Sequence, residues 1–237
     1  MSDQGERTQS AKGASGQKAS PALSLPSIVF FYPMRVIAGT YRSRPLTAPR
    51  GMATRPTSDR LRETLFNVLA PHIEGARFAD LYAGTGAVGI EALSRGAAHV
   101  TFVESAASAI TALRANLAAL KINSGFQLEQ RSVPVLLRNL AARNAADNNT
   151  ASRDPHFTLV YLDPPWEDVA AYTQSLNLLA GSAAALLAPE AIVIVEHARR
   201  GSATLVDTYG ALHRSRLLEQ GDAALSFYRA EAAHEGV

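Results

Sequence analysis

The chain has 237 residues, 47% of them hydrophobic, which suits one α/β domain with a well-filled core plus appendages. It contains no cysteine, excluding a disulfide framework and a thiolate metal site, and its longest purely apolar stretch near the start, Ile28 to Tyr32, is far too short to span a bilayer, so the expectation is a cytoplasmic protein with no membrane partner. The net charge of +2 is small but unevenly placed: Arg35, Arg42, Arg44, Arg50, Arg55, Arg60 and Arg62 stand against Asp59 alone until Glu63 follows, a distribution suited to phosphate and base contacts.

Residues 1–33 are rich in Ser, Ala, Gly, Gln and Lys and are expected to form a disordered tail, because they carry too few large apolar side chains to offset the entropy of ordering. Met34 opens a different texture, such as a translation start would have. Residues 34–75 then read as a basic N-terminal extension. From Arg35 to Pro49, apolar residues alternate with Arg, Thr and Ser, as in a small β-hairpin with a basic face. Thr57, Ser58 or Asp59 can cap a helix through Leu61, Leu65, Phe66, Val68 and Leu69, with Pro71 expected to stop it. Arg60 or Arg62 can pair with Asp59 or Glu63 along that helix, which leaves the other arginines free.

The main domain, residues 76–231, alternates strands and helices. Predicted strands are Phe78–Tyr82, Val100–Val103, Phe126–Glu129, Phe157–Leu162 and Ala191–Val195, with a closing hairpin around Arg216–Leu218 and Ala224–Tyr228. Predicted helices run over Ile90–Arg95, ended by Gly96, over Ala107–Leu120, through Leu136, Leu137 and Leu140 after Ser132 and Pro134, and over Val169–Leu179. Asn144 to His156 reads as a polar loop. Strict β-α alternation with right-handed crossovers gives a doubly wound, mostly parallel sheet.

Gly84, Gly86 and Gly89 spell G-x-G-x-x-G between a strand and a helix, the spacing of a tight turn that lets a ligand approach the backbone near a helix N-terminus. Glu104 stands twenty residues after Gly84 at the end of the next strand, where a carboxylate can accept both hydroxyls of a ribose. This pair fits NAD as well as S-adenosylmethionine. Asp80, just ahead of the glycines, suits an ammonium group or a bound water better than a pyrophosphate. Each has a structural counterpart reading, with Asp80 as a turn-capping acid and Glu104 as a helix N-terminal acid.

The fourth strand ends in Asp163-Pro164-Pro165-Trp166. Two prolines fix φ and remove two N–H groups, so the carbonyls of Asp163 and Pro164 can face a ligand as acceptors. An exocyclic nucleobase NH2 held against Trp166 satisfies such acceptors, and hydride transfer has no use for them. The alternative is a strand-ending turn with a surface aromatic.

Four blocks, MRVIAGT (34–40), RPTSDRLRETLFN (55–67), DLYAGTGAVGIEALSR (80–95) and DPPW (163–166), resemble the bacterial 16S rRNA (guanine(966)-N(2))-methyltransferase family over essentially everything from Met34 to Arg229. The resemblance implies a seven-stranded class I methyltransferase fold, S-adenosyl-L-methionine as cofactor, and a guanine of 16S rRNA in the small ribosomal subunit as partner and substrate. Carried over by position, it puts Gly84, Gly86 and Glu104 at the cofactor and Asp163, Pro164, Pro165 and Trp166 at the target base. With the residues around them, the expected cofactor-binding set is Asp80, Tyr82, Gly84, Thr85, Gly86, Glu104, Ser132 and Val133, and the uneven charge makes Arg35, Arg42, Arg44, Arg50, Arg55 and Arg60 the expected RNA-binding set. Ser132 stands where the family more often has an acid or Asn, and Trp166 where it has Phe or Tyr. A sulfonium carries its own activation, so alignment of nitrogen, methyl and sulfur is needed and a metal is not. The expected working unit is a monomer. The other readings are a DNA or RNA adenine-N6 methyltransferase, which shares the amino-group logic, and a non-catalytic cofactor-binding ribosome assembly factor.

Overall fold

A computed structural model describes residues 34–48, 58–146, 156–200 and 205–230. The expected tail, Arg50 and Arg55 lie outside the described residues. In order, the elements are α1 (Asp59–Ile73), β1 (Arg77–Leu81), α2 (Ala87–Ser94), β2 (His99–Glu104), α3 (Ala107–Ala119), β3 (Phe126–Gln130), α4 (Val133–Ala146) and β4 (Phe157–Leu162). They continue with α5 (Val169–Ala180), a 3-10 turn (Ala184–Leu186), β5 (Leu187–Ala198), β6 (Thr208–Tyr209), β7 (Leu212–Gln220) and β8 (Ala223–Ala230).

One sheet runs β3-β2-β1-β4-β5-β8-β7-β6. The first five strands are parallel, and β5–β8, β8–β7 and β7–β6 pair antiparallel. The doubly wound, mostly parallel sheet is thus as expected, with the two-residue β6 added at one edge. Helices cover both faces. Leu61, Leu65, Phe66 and Leu69 of α1 pack with Ile90 of α2 and Leu113 and Leu117 of α3 against Phe78, Phe102, Tyr161 and Ile194. Leu136 and Leu137 of α4 and Tyr172, Leu176 and Leu179 of α5 pack against Leu81, Val160, Leu162 and Val195 on the other face. Strands buried on both sides read as continuous apolar runs, which is why Phe157–Leu162 was legible.

Several boundaries differ from the sequence reading. Ser58 caps α1 through its hydroxyl, which accepts from Leu61 N, but Pro71 does not end the helix. It sits in the last turn, where its fixed φ is helical, and the chain leaves the helix only after Ile73. The hairpin expected at 35–49 is a single bridge, Arg35 to Pro45, held by Val36 N to Arg44 O and Ser43 N to Val36 O. Val36 and Leu46 from this strap are buried in the first core. Helix α4 runs through Ala146 into the stretch read as loop, because Asn144 is buried on the same helix face as Leu137 and Leu140.

Candidate active site

The order of the sheet reverses between β1 and β4, so the crevice beyond their carboxyl ends is where a doubly wound sheet places a ligand. The two motifs flank this switch point. Leu81 pairs with Leu162, and Asp163 N donates to Leu81 O at 3.4 Å, so the β4 ladder reaches the first residue of the D-P-P-W motif. The glycine turn starts two residues beyond Leu81.

That turn is held from three directions. Glu104, at the end of β2, accepts from Gly84 N at 2.9 Å through one carboxylate oxygen and from Ser105 N and Ala106 N at 2.7 Å through the other. Gly86 N closes the turn on Ala83 O at 2.7 Å, with Gly86 at φ +80°, as N-cap of α2. Asp80 is buried, and its Oδ2 accepts from Gly89 N at 2.8 Å in the first turn of α2. Burial pushes the Asp80 carboxyl up to about 7; the Gly89 N–H opposes that rise and the nearby Glu104 charge adds to it. Asp80 and Glu104 therefore already have the anchoring contacts of their structural readings. One acceptor direction on the Gly84-bonded oxygen of Glu104 is not used by these three N–H groups.

Tyr82 lies in the left-handed region at φ +68°, which turns its ring out of the β1 alternation toward the α5 side, where its hydroxyl meets Ser175 Oγ at 3.0 Å. Thr85 faces the N-terminal strap. Its hydroxyl approaches Met34 Sδ at 3.8 Å, and its carbonyl accepts from Asn116 Nδ2 at 3.0 Å. Ser132 is exposed, its carbonyl taking the first bond of α4 from Leu136 N. The Val133 side chain is 2% exposed in the second core, so only its backbone remains for a ligand.

In the second motif, Pro164 is buried, Pro165 exposed and Trp166 half-buried. Pro164 O accepts from Tyr172 Oη at 3.1 Å, and Pro165 O accepts from Asp168 N at 2.9 Å. Asp168 caps α5 through Ala171 N. Pro164's carbonyl, expected to face a ligand alone, thus also has a protein donor.

Of the expected RNA-binding arginines, Arg35, Arg42, Arg44 and Arg60 are exposed. Arg35 is 3.3 Å from Asp59, which also takes the buried Arg62 at 2.7 Å, so Asp59 pairs with Arg35 and Arg62 rather than with Arg60. The strap bearing these residues is tied to the core by groups the sequence reading missed. Glu91, fully buried in α2, accepts from Ile37 N at 2.7 Å, Ala38 N at 3.0 Å and Arg95 Nε at 2.6 Å. The available signal was an acid on an otherwise apolar helix face.

The residues fit an adenosyl-type cofactor. At Gly84 a Cβ would meet nothing within 4 Å and would project into the open side of the turn, whereas at Gly86 it would lie 2.1 Å from Leu113 Cδ1. One glycine leaves room for a ligand and the other leaves room for the core. Backbone N–H groups at the α2 N-terminus suit a carboxylate, and the Glu104 carboxylate suits hydroxyls.

The fold and the glycine turn at the switch point are those of a class I methyltransferase. The chain belongs to the family described as Conserved hypothetical protein 95, which matches residues 34–229. It is 36% identical over 202 residues to Ribosomal RNA small subunit methyltransferase D of Escherichia coli strain K12, covering 85% of this chain and 92% of that one. It is 34% identical over 198 residues to the Putative rRNA methyltransferase YlbH of Bacillus subtilis strain 168, covering 83% and 98%. Among solved structures, the putative methyltransferase yhhF from Escherichia coli superposes with a TM-score of 0.68 at 34% identity, over 84% of this chain and 99% of that one. The family resemblance drawn from the four sequence blocks is borne out.

Proposed function

We propose that this protein transfers a methyl group from S-adenosylmethionine to the exocyclic N2 amine of a guanine in 16S rRNA of the small ribosomal subunit. The observation that carries the reading is the adjacency of the two motifs: Asp163, bonded through its N–H to Leu81, opens an acceptor-rich Pro-Pro segment beside the glycine turn. The name of the Escherichia coli relative, a small-subunit rRNA methyltransferase, supports the substrate.

The cofactor supplies a methyl group already activated on a sulfonium. Gly84, Glu104 and the backbone at Ser132 and Val133 would hold it, with Gly86, Thr85 and Tyr82 shaping the turn and Asp80 fixing α2. Asp163 and the Pro164 carbonyl accept the amine N–H groups, which localises the nitrogen lone pair and stabilises the positive charge that develops there, and one amine proton is lost to water after the transfer to give the neutral methylamine. Trp166 stacks on the base after it leaves its RNA stack. Arg35, Arg42, Arg44 and Arg60, together with Arg50 and Arg55 beyond the described residues, hold phosphates. An rRNA substrate also accounts for the expected cytoplasmic location.

The test is incubation with labelled S-adenosylmethionine and either small ribosomal subunits or genomic DNA, followed by identification of the modified nucleoside. N2-methylguanosine from the subunits is the expected product. N6-methyladenine would replace this reading with the adenine one, and no labelled nucleoside would leave the assembly-factor reading.

A further inference from the structure

We propose that Tyr172 is a positioning residue for the methyl transfer: from α5, it holds the Pro164 carbonyl in the orientation that receives the target amine. This rests on the function proposed above and extends it to a residue outside the motif.

Two consecutive prolines remove two backbone donors. The peptide units joining Asp163 to Pro164 and Pro164 to Pro165 contain no N–H, so neither can be oriented by donating a hydrogen bond. The only hydrogen-bonding group of the second unit is Pro164 O. The donor on it is Tyr172 Oη at 3.1 Å, eight residues along the chain. Tyr172 is 1% exposed, packed with Leu162, Leu176 and Val195 in the second core, so its ring is fixed by packing before its hydroxyl acts. A carbonyl oxygen has two lone pairs, and a donor on one sets the direction of the other. Burial raises the Tyr172 hydroxyl's pKa, and the charges of Asp163 and Glu196 raise it further, so it stays protonated and remains a donor across the physiological range.

One turn further along α5, Ser175 Oγ meets Tyr82 Oη at 3.0 Å. Residues three apart share a helix face, so a single helix grips the backbone after β4 through Tyr172 and the residue after β1 through Ser175. In-line transfer tolerates little change in the spacing between amine and sulfonium, and α5 spans the two segments that set it.

Trp166 is the sole tryptophan of the chain, so its fluorescence reports the motif without reference to activity. Tyr172→Phe keeps the ring and removes the donor. In the full-length protein acting on small ribosomal subunits, this variant is expected to lose about tenfold or more in kcat. The KM for S-adenosylmethionine should be nearly unchanged and the melting temperature should fall by only a few degrees, as one lost buried hydrogen bond implies, while acrylamide quenching of Trp166 should rise. Tyr209→Phe, in the second core but away from the motif, serves as the control with neither effect. Unchanged kcat in Tyr172→Phe overturns the proposal, whatever the quenching shows. So does a fall in kcat that comes with a parallel rise in KM and a large loss of melting temperature, which marks a packing role. Wild-type protein inactive on subunits refutes the proposed function instead, and unaltered Trp166 quenching in Tyr172→Phe would then overturn the positioning role independently.

Discussion

Asn116 on α3 donates through Nδ2 to the carbonyl of Thr85 in the glycine turn at 3.0 Å and to the carbonyl of Thr47 in the N-terminal strap at the same distance. Its Oδ1 accepts from Thr47 N and Thr47 Oγ1, both at 2.8 Å. With the side chain 1% exposed, one amide joins the strap that carries Arg42 and Arg44 to the turn proposed to bind the cofactor. Asn116→Ala would leave Thr47 N–H and Thr85 C=O without this partner, and a cost of about 3 kcal/mol is expected. Asn116→Asp keeps the acceptors but turns an anion toward two carbonyls. Calorimetric affinity for S-adenosylmethionine should fall in both variants; unaltered affinity would limit Asn116 to holding the strap.

The two glycines of the turn should fail differently. Gly84→Ala places a methyl in open space at φ +55°, so folding should suffer by only about 1–2 kcal/mol while the cofactor loses room. Gly86→Val drives its Cβ into Leu113 at φ +80°, so melting temperature should fall together with cofactor binding. Thermal melts beside titration calorimetry separate the cases, and a Gly84→Ala protein binding cofactor normally would refute the cradle.

Asp80 gives a pH dependence with a definite sign. Its carboxyl rises from 3.8 to about 7 on folding, so between those values the native state binds the proton more tightly than the unfolded chain. This group's contribution to stability is therefore fully present below pH ~4 and is lost as pH rises through ~7. Asp80→Asn retains an acceptor for Gly89 N–H and removes the charge, so the variant should lose that slope and gain on wild type at pH 8. Melting temperatures at pH 5 and pH 8 check it. A tenfold loss of cofactor affinity at pH 8 in the same variant would show that the charge also serves the ligand.

Arg42 and Arg44 are exposed on the strap, so replacing both by Ala should reduce the slope of log affinity for rRNA against log salt by about 1.5, at the roughly 0.7–0.9 per phosphate contact expected for nucleic acids. Arg35→Ala should change it less, because Asp59 already offsets part of its charge. An unchanged slope in the double variant would mark a merely solvated face.

What the sequence disclosed and what it hid have physical causes. Buried parallel strands are largely apolar, so their positions along the chain, the glycine turn and the D-P-P-W end could all be read from local patterns, whereas their order in the sheet is set by tertiary pairing. Strand β5 was read from Ala191 because Pro189 and Glu190 break the pattern; Glu190 sits at φ +61°, and the β4–β5 register shifts there. Asn116, Glu91 and Tyr172 were passed over because their partners are set by the fold rather than by spacing. Asn116 lies between Leu113 and Leu117 on the buried face of α3, where a polar side chain must find partners, and that position was the one local hint.

Asp163 allows charge to be separated from hydrogen-bond geometry. The motif's backbone carries contacts that a side-chain substitution leaves in place: Asp163 N on Leu81 O, Tyr172 on Pro164 O and Asp168 N on Pro165 O. Asn keeps one acceptor for the amine and removes the negative charge, whereas Ala removes both. If pinning the amine dominates, Asp163→Asn should retain measurable turnover and Asp163→Ala should lose about a hundredfold or more, the usual cost of deleting a preorganised polar contact. If stabilising the developing positive charge dominates, Asn should fall nearly as far as Ala. Both variants should bind S-adenosylmethionine like wild type in calorimetry, because the glycine turn and Glu104 are untouched. Wild-type turnover by Asp163→Ala on small ribosomal subunits would reduce the D-P-P-W segment to a structural turn and move the reacting amine elsewhere in the crevice.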